Sequence, residues 1–353
     1  MTTLWDTTGT AVVKALAAER RTGGAVTSGN ALTLVVVVDE KHIGEAERAA
    51  ARAAARNPCR VLIVVRRELD APKPRLDAEI LVGGRLGPGE AIVMRMYGRL
   101  ALHAESVTLP LLAPDAPVVT WWHTAPPEVI ATDPLGVYSD RRITDIGWLD
   151  AGGAGLKQRA KDYAPGDTDL GWTRTTQWRS ALASSFDTLD GKPTSARVFG
   201  SPDAPPALLL AGWLQARLQI PVGVRETKRN TGENGISAVE VNFGTKTRLR
   251  VARDGGDMLV RRTGQRDQRL TVVDRDLGDL LTEELRHQGA DDVYAAALGA
   301  ATDTKGLLQR DFVRTHIWVD PTTPSKGASP KEAVKRAAAQ IKKNAKPAVG
   351  AGS

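Results

Sequence analysis

The residues best suited to chemistry sit in residues 162–182, "DYAPGDTDLGWTRTTQWRSAL". Asp167 and Asp169 form an Asp-x-Asp of the kind that holds Mg²⁺ beside a diphosphate. A hard cation, however, needs several convergent oxygens, and two carboxylates do not supply them. The same residues directly precede a helical pattern, where side-chain oxygens cap free N–H groups and negative charge meets the helix dipole. Capping is the reading that the spacing favours. The histidines (His42, His103, His123, His287 and His316) are scattered, none at i, i+3 or i, i+4 from another, and Cys59 is the sole cysteine. No zinc-type set is expected, and no metal or cofactor is expected at all. Cys59 follows Pro58 at the start of an apolar run and reads as a small buried side chain rather than a nucleophile. No Gly-x-x-x-x-Gly-Lys-Ser/Thr loop, strand-to-helix Gly-x-Gly-x-x-Gly or Gly-x-Ser-x-Gly elbow occurs. The glycines of "VGGRLGPGEA" lie between two strand-like runs and suit turns.

What remains is a set of tryptophans and arginines. The chain has eight Trp against four Phe and four Tyr. Trp121 and Trp122 are adjacent at a strand end, and neighbours on a strand face opposite sides. One of them therefore faces a core, and the other needs a second layer, a partner or a ligand. At ~100° per residue, Leu170, Trp178, Ala181, Leu182 and Phe186 share one helical arc, with Trp172 at its edge. Arg174 lies inside that arc in the first turn, where a cation opposes the helix dipole and needs a counter-charge. Asp167 or Asp169 can supply one, and the face of Trp178 a cation–π contact. In "DPLGVYSDRRITDIGW", Arg141 and Arg142 sit between Asp140 and Asp145. An Arg pair suits phosphate or carboxylate, whereas a helix start with local ion pairs needs no ligand. Trp121, Trp122, Arg141, Arg142, Trp172, Arg174 and Trp178 are the candidate partner- or ligand-binding residues. No catalytic residue stands out.

These residues must be positioned by a fold of two parts, since 353 residues is long for one core. A helix is expected over 4–20. "ALTLVVVVDE" and "CRVLIVVRR" are buried strands flanking the helix "KHIGEAERAAARAAARNP", a βαβ unit. "LDAEILVGG", "EAIVMRMYG" and "APVVTWW" add strands, and "RLALHAESVTLPLL" a helix. Residues 1–160 thus read as an α/β domain with a mixed sheet. After a connector at 151–169, helices are expected at 170–187 and 205–218. The strands "ISAVEVNF", "TKTRLRVA", "DMLVRR" and "QRLTVV" follow as an antiparallel meander, with a two-residue turn at "FGTK". Lys246, Arg248 and Arg250 share one face of it. Helices at 276–288 and 291–302 complete an α+β domain over 161–305.

The net charge of +7 is unevenly spread. Residues 321–353 hold seven basic side chains and one acid, and 221–275 hold twelve basic and seven acidic, so the rest of the chain is net negative. The Lys/Ala/Gly/Pro segment 321–353 reads as a solvated, disordered extension, and "PKEAVKRAAAQIKKNA" within it as a weak amphipathic helix. The longest apolar run, "LVVVV", is far short of the ~20 residues that span a bilayer, and no secretory signal is evident. With a single cysteine, a reducing cytoplasm is the expected location.

The strings "NPCRVLIVV", "LPLLAPDAPVVTWWHTAPP", "DPLGVYSDRRITD", "YAPGDTDLGWTRTTQWR" and "AGWLQARL" fall in an order that resembles the OpcA family of glucose-6-phosphate dehydrogenase assembly proteins. The resemblance runs from about residue 31 to 305. It implies a non-enzymatic role: association with glucose-6-phosphate dehydrogenase, promotion of its active oligomer and a rise in its activity. It carries over no catalytic residue. Thioredoxin control through cysteines, found in cyanobacterial relatives, has no intramolecular form here because only Cys59 is present. The competing reading is a sensor or enzyme for a sugar phosphate or nucleotide held at the domain junction by Arg141, Arg142 and Arg174. Nucleic-acid binding through the arginine-bearing sheet face at 246–269 is disfavoured, because stacking aromatics are missing there.

Overall fold

The computed structural model describes residues 1–22, 31–83, 86, 89–187, 189, 191–227 and 235–312. The basic segment 321–353 and the helix expected within it lie outside the described residues. Two mixed sheets and, among the described residues, ten α-helices form two compact units. The first unit takes Met1–Thr144, Asp276–Ala290 and, last of the described residues, Phe312; the second takes Asp145–Arg275 and Asp291–Asp311.

The first unit is built on strands β1 (Thr2–Leu4), β2 (Leu32–Asp39), β3 (Cys59–Arg67), β4 (Arg75–Val82), β5 (Glu90–Tyr97), β6 (Val118–Trp122) and β7 (Arg141–Thr144). Helices α1 (Gly9–Thr22), α2 (Ile43–Arg56), α3 (Arg99–Leu102) and α4 (Glu105–Thr108) intervene. Within the unit the strand order is β1-β4-β5-β3-β2-β6-β7. β5, β3, β2, β6 and β7 pair in parallel, whereas β4 pairs antiparallel to β5, and β1 to β4. Leu32–Val38 and Cys59–Val65 are buried throughout, as strands covered on both faces must be. α2 offers them a stripe of alanines, Ala46, Ala49, Ala50, Ala53 and Ala54, small enough for close approach.

Three local expectations in this unit are corrected. The N-terminal helix starts at Gly9 rather than at residue 4, because Thr2–Leu4 pair with Ile80–Ala78 as a strand. Trp5 is left 69% exposed. The helix expected over "RLALHAESVTLPLL" is two single turns, α3 and α4, broken at His103. The segment read as a helix start, Asp140–Asp145, contains β7, parallel to β6 with Val119 opposite Arg141. Periodicity could not reveal it: "RRIT" has no alternation, since all four residues are buried.

The second unit comprises α5 (Gly152–Asp162), β8 (Asp167–Asp169), α6 (Leu170–Thr173), α7 (Thr176–Phe186), β9 (Pro193–Gly200), α8 (Pro205–Leu218), β10 (Val222–Glu226), β11 (Ile236–Phe243), β12 (Thr247–Asp254), β13 (Asp257–Arg262) and β14 (Gln268–Thr271). The chain then enters the first unit as α9 (Leu277–Glu284) and ends the second with α10 (Asp292–Thr302). The expected connector at 151–169 thus contains a helix, and the expected helix over 170–187 is interrupted at Arg174–Thr175. The expected meander is present as β11–β14, but β9 pairs antiparallel to β11 and β10 adds parallel to β9. The order is β10-β9-β11-β12-β13-β14, a mixed sheet. Its first hairpin pairs Phe243 with Thr247, leaving a three-residue loop instead of the two expected. The second is the two-residue Gly255–Gly256, with Gly255 at φ 63°, a backbone region open to glycine.

The segment 276–290, read from the sequence as part of the second domain, is held in the first unit by α2. Arg52 grips both oxygens of Asp279 (2.9 Å each) and pairs with Asp276 (2.9 Å). Asp276 itself caps α9 by accepting from the Asp279 N–H. Asn57 donates to the Thr282 carbonyl (3.2 Å).

Candidate functional site

Six of the seven residues singled out by type are buried, and Arg174 is nearly so, with 19% of its side chain exposed. Trp122 packs into the core of the first unit with Val35, Val37, Leu62 and Val118. Trp121, on the opposite face of β6, stacks on His123 (ring centroids 4.9 Å), which lies 5.9 Å from His42. The second layer that the pair requires is therefore internal. Arg141 donates from Nε (3.1 Å) and Nη2 (2.5 Å) to Glu284 of α9, and from Nη1 to the Gly289 carbonyl (2.7 Å). Arg142 donates to the Ser139 carbonyl (3.0 Å) and lies over Phe312. Adjacent strand residues point apart, so the two arginines do not form one anion clamp.

In the second unit, Arg174 makes a fork-to-fork pair with Asp145 (2.8 and 2.7 Å). Asp145, which the sequence reading did not offer, thus supplies a counter-charge. The cation over an indole is also a different one: Arg179 sits 3.6 Å from the Trp172 ring centre. The Trp172 indole N–H donates to Asp291 (2.9 Å), which also caps α10 through the Tyr294 N–H. Trp178 lies in the core with Leu182, Leu209 and Val241. Asp169 caps α6, one oxygen accepting from Gly171 N–H (2.8 Å) and the other from Ile146 N–H (2.9 Å). Asp167 accepts from the Ala164 N–H (2.8 Å). Asp169 thus meets the capping expectation, whereas Asp167 accepts from a loop N–H ahead of β8. Among the described residues no group of three or more His, Cys, Asp or Glu is disposed to hold a metal.

In the first unit the strand order reverses direction between β2 and β6, the position whose crevice binds ligands in open α/β sheets. Here the turn after β2 carries Glu40, which pairs with Arg67 (3.7 Å) and Arg95 (3.6 Å). Beyond β6, His123 meets Glu45 of α2 (3.3 Å). Burial, then the Lys41 and His123 charges, hold the His42 imidazole below its ordinary value. A carboxylate thus stands where a dinucleotide fold presents glycine N–H groups to a pyrophosphate.

A surface of distinctive chemistry is the outer face of the second unit's sheet. Its inner face, with Val198, Val239, Val241, Leu249, Val251, Met258 and Val260, is packed in the core with Leu209, Leu210 and Trp213 of α8. Strand alternation sends the neighbours of these residues outward. The register aligns one row across all six strands: Arg225, Phe199, Ala238, Ala252, Leu259 and Arg269. The next row reads Gly223, Arg197, Glu240, Arg250 and Arg261. Side-chain contacts confirm a shared face: Arg250 pairs with Glu240 and lies over Phe199 (5.4 Å), and Arg248 donates to Asn242 (3.2 Å). Arg269 reaches Asp254 (2.6 Å) and Asp257 (3.4 Å), and these carboxylates hold its guanidinium pKa above the ordinary value. At one end of the face a polar depression of about 270 Å³ is lined by Lys246, Arg248, Thr263 and neighbours. The sequence placed Lys246, Arg248 and Arg250 together. Arg197 and Arg225 escaped it because β9 and β10 were not recognised, although Ala196-Arg197-Val198 carries the alternation that betrays a strand.

Family profiles account for most of the chain. The N-terminal domain of the glucose-6-phosphate dehydrogenase subunit, an OpcA assembly profile, matches residues 50–161. The C-terminal domain of the same OpcA profile pair matches residues 165–298. The chain belongs to the OpcA family of glucose-6-phosphate dehydrogenase assembly proteins. The boundary between the two OpcA profiles falls at residues 161–165, close to the end of α5. No curated protein matches the chain. Among solved structures, the 3-ketoreductase KijD10 of Actinomadura kijaniata, solved with NADP and TDP-benzene, is 10% identical, with TM-score 0.42 over 80% of this chain and 99% of that one. UDP-N-acetylglucosamine 3-dehydrogenase GnnA of Acidithiobacillus ferrooxidans is 11% identical (TM-score 0.37; 78% and 96% covered). An oxidoreductase of Sinorhizobium meliloti is 11% identical (TM-score 0.39; 90% and 98% covered). Likeness at this level carries no argument about chemistry. No helix among the described residues is long and apolar enough to cross a membrane.

Proposed function

We propose that the chain is a non-catalytic protein that binds glucose-6-phosphate dehydrogenase, favours its active assembly and raises its activity in the oxidative pentose phosphate pathway, in the cytoplasm. The observation that carries this reading is the match of both family profiles, which together span residues 50–298. The side chains support it. The arginines and carboxylates that a reaction centre would use are committed to one another, Arg141 to Glu284 and Arg174 to Asp145. The sensor reading draws no such support. Two of its three arginines have carboxylate partners inside their own unit, and Arg142 binds a backbone carbonyl.

A binding protein activates an enzyme only by holding its active state more tightly than its inactive state. The test is titration of the purified chain into its cognate dehydrogenase, reading oligomer mass by light scattering and KM and kcat by initial rates. Activation requires a saturable change in one of them. Unchanged mass and kinetics at every ratio overturn the proposal.

A further inference from the structure

We propose that the outer face of the β10-β9-β11-β12-β13-β14 sheet is the surface on which this chain docks its protein partner, and that the matching surface on the dehydrogenase is an apolar strip flanked by carboxylates. This rests on the functional reading above and adds the place and the chemistry of the contact.

The face combines an apolar centre with a charged edge. Four apolar side chains, Phe199, Ala238, Ala252 and Leu259, form a continuous row across the four middle strands in that row's register. Phe199, Ala252 and Leu259 are half-buried, and among the described residues none of them belongs to the apolar core that the unit's helices pack. The small side chain of Ala252 at the centre lets another backbone or side-chain layer come close, whereas Ala238 beside it is already buried. An arginine ends the row at each side, Arg225 on β10 and Arg269 on β14. An apolar centre within a charged rim is the anatomy of a protein interface.

Charge then selects the partner. The face carries six arginines (Arg197, Arg225, Arg248, Arg250, Arg261 and Arg269) against the carboxylates of Glu240, Asp254, Asp257 and Asp267. Arg250 and Arg269 are paired to those carboxylates, and Arg261 to Asp267 (2.9 Å). Arg197 and Arg225 are exposed and make no hydrogen bond or ion pair among the described residues. They are the groups available to an incoming carboxylate. A second copy of the chain presents the same excess of arginine, so face-to-face association juxtaposes like charges. Nucleic acid presents a continuous row of phosphates to a face whose carboxylates interrupt it. Size is adequate: six strands at ~4.8 Å spacing and about six residues of ~3.3 Å rise give roughly 600 Å² in projection. Side-chain relief raises this towards the ~800 Å² per partner of a stable complex.

The experiment compares the full-length chain with R197E/R225E and with K157E/K161E, whose exposed lysines lie on α5. Surface-immobilised cognate dehydrogenase reports kon and koff at low and high salt. The expected result is a fall of about tenfold or more in the kon of R197E/R225E at low salt, narrowing as salt screens the charges, with K157E/K161E close to wild type. Circular dichroism and thermal midpoint check each variant. If R197E/R225E misfolds, R197Q/R225Q carries the comparison with a smaller loss in the same direction. Wild type and R197E/R225E binding alike overturns the docking face and leaves the functional reading standing. So does an equal loss in both variants. Absence of binding by wild type overturns the functional reading itself. Face-dependent self-association, or retention of duplex DNA lost in R197E/R225E, replaces the proposed occupant.

Discussion

Removing the carboxylate of Glu284 should destabilise the first unit far more than removing both members of its ion pair. Arg141 is 1% exposed, and the Glu284 side chain 4%. Three donors of the guanidinium are used, two by Glu284 and one by the Gly289 carbonyl. Charges about 4 Å apart at an effective dielectric near 20 attract by about 4 kcal/mol. Glu284→Gln forfeits this attraction and leaves the cation buried, so the cost should approach the ~3–5 kcal/mol typical of a broken buried pair. Arg141→Met with Glu284→Met removes the desolvation penalty of both ions and should cost about 1 kcal/mol or less. The assay is urea unfolding followed by tryptophan fluorescence, with Trp121 and Trp122 reporting the first unit. With an m-value near 3 kcal/mol/M, Glu284→Gln should lower the midpoint by about 1–1.5 M. The double variant should return most of that shift. A single-variant shift below about 0.3 M, or a double variant with the sum of the single effects, refutes the claim that this pair is mutually dependent and ties α9 to β7.

Three further outcomes follow from particular contacts. Burial pushes the Cys59 thiol from its ordinary 9.0 up to about 12, so at pH 8 the folded chain should not react with a disulfide reagent, and one thiol should appear on unfolding. The same raised value means that the stability held in the neutral thiol is complete below pH 9 and lost as pH rises towards 12. Burial pushes Glu90 up, but hydrogen bonds and charge from Arg20 and Arg60 outweigh it and hold the carboxyl below 4.5. Its contribution is therefore present above pH 4.5 and lost on acidification. Glu90→Gln should lose about 3 kcal/mol at pH 7, because Arg60 is nearly as buried, and should show a flatter acid limb in a pH series of urea melts. Gly212 of α8 lies so close to α10 that a Cβ would fall 2.2 Å from the Ala297 carbonyl oxygen. Gly212→Ala should force the helices apart, cost about 1–3 kcal/mol, and lower Tm by several degrees in a thermal scan.

Much of the frame was legible because local pattern and tertiary environment agree in it. β2, β3, β6 and the β11–β14 strands are β-branched or alternating, and α2 declares itself by its alanine stripe. β7 and β10 were not legible, whereas β9 carries a short alternation at Ala196-Arg197-Val198. β7 is four buried residues with two arginines among them, and a charged buried strand has no periodic signature. β10 is short and lies at the edge of its sheet. The break between α6 and α7 also escaped notice, because the apolar arc runs through both short helices.

The sequence by itself determined the kind of protein: a chain of mixed α and β elements that carries the OpcA strings and no phosphate-loop motif. These are properties of residue type, order and spacing, which survive without coordinates. Only the tertiary structure decided what the conspicuous side chains do. Tryptophan and arginine serve equally well as core and as contact surface, and the choice depends on which counter-charge or layer lies opposite, often more than a hundred residues away, as Glu284 does from Arg141. Tertiary register likewise assembled the outward row from Arg225 to Arg269, because a strand's neighbours across a sheet are fixed by pairing and not by position in the chain.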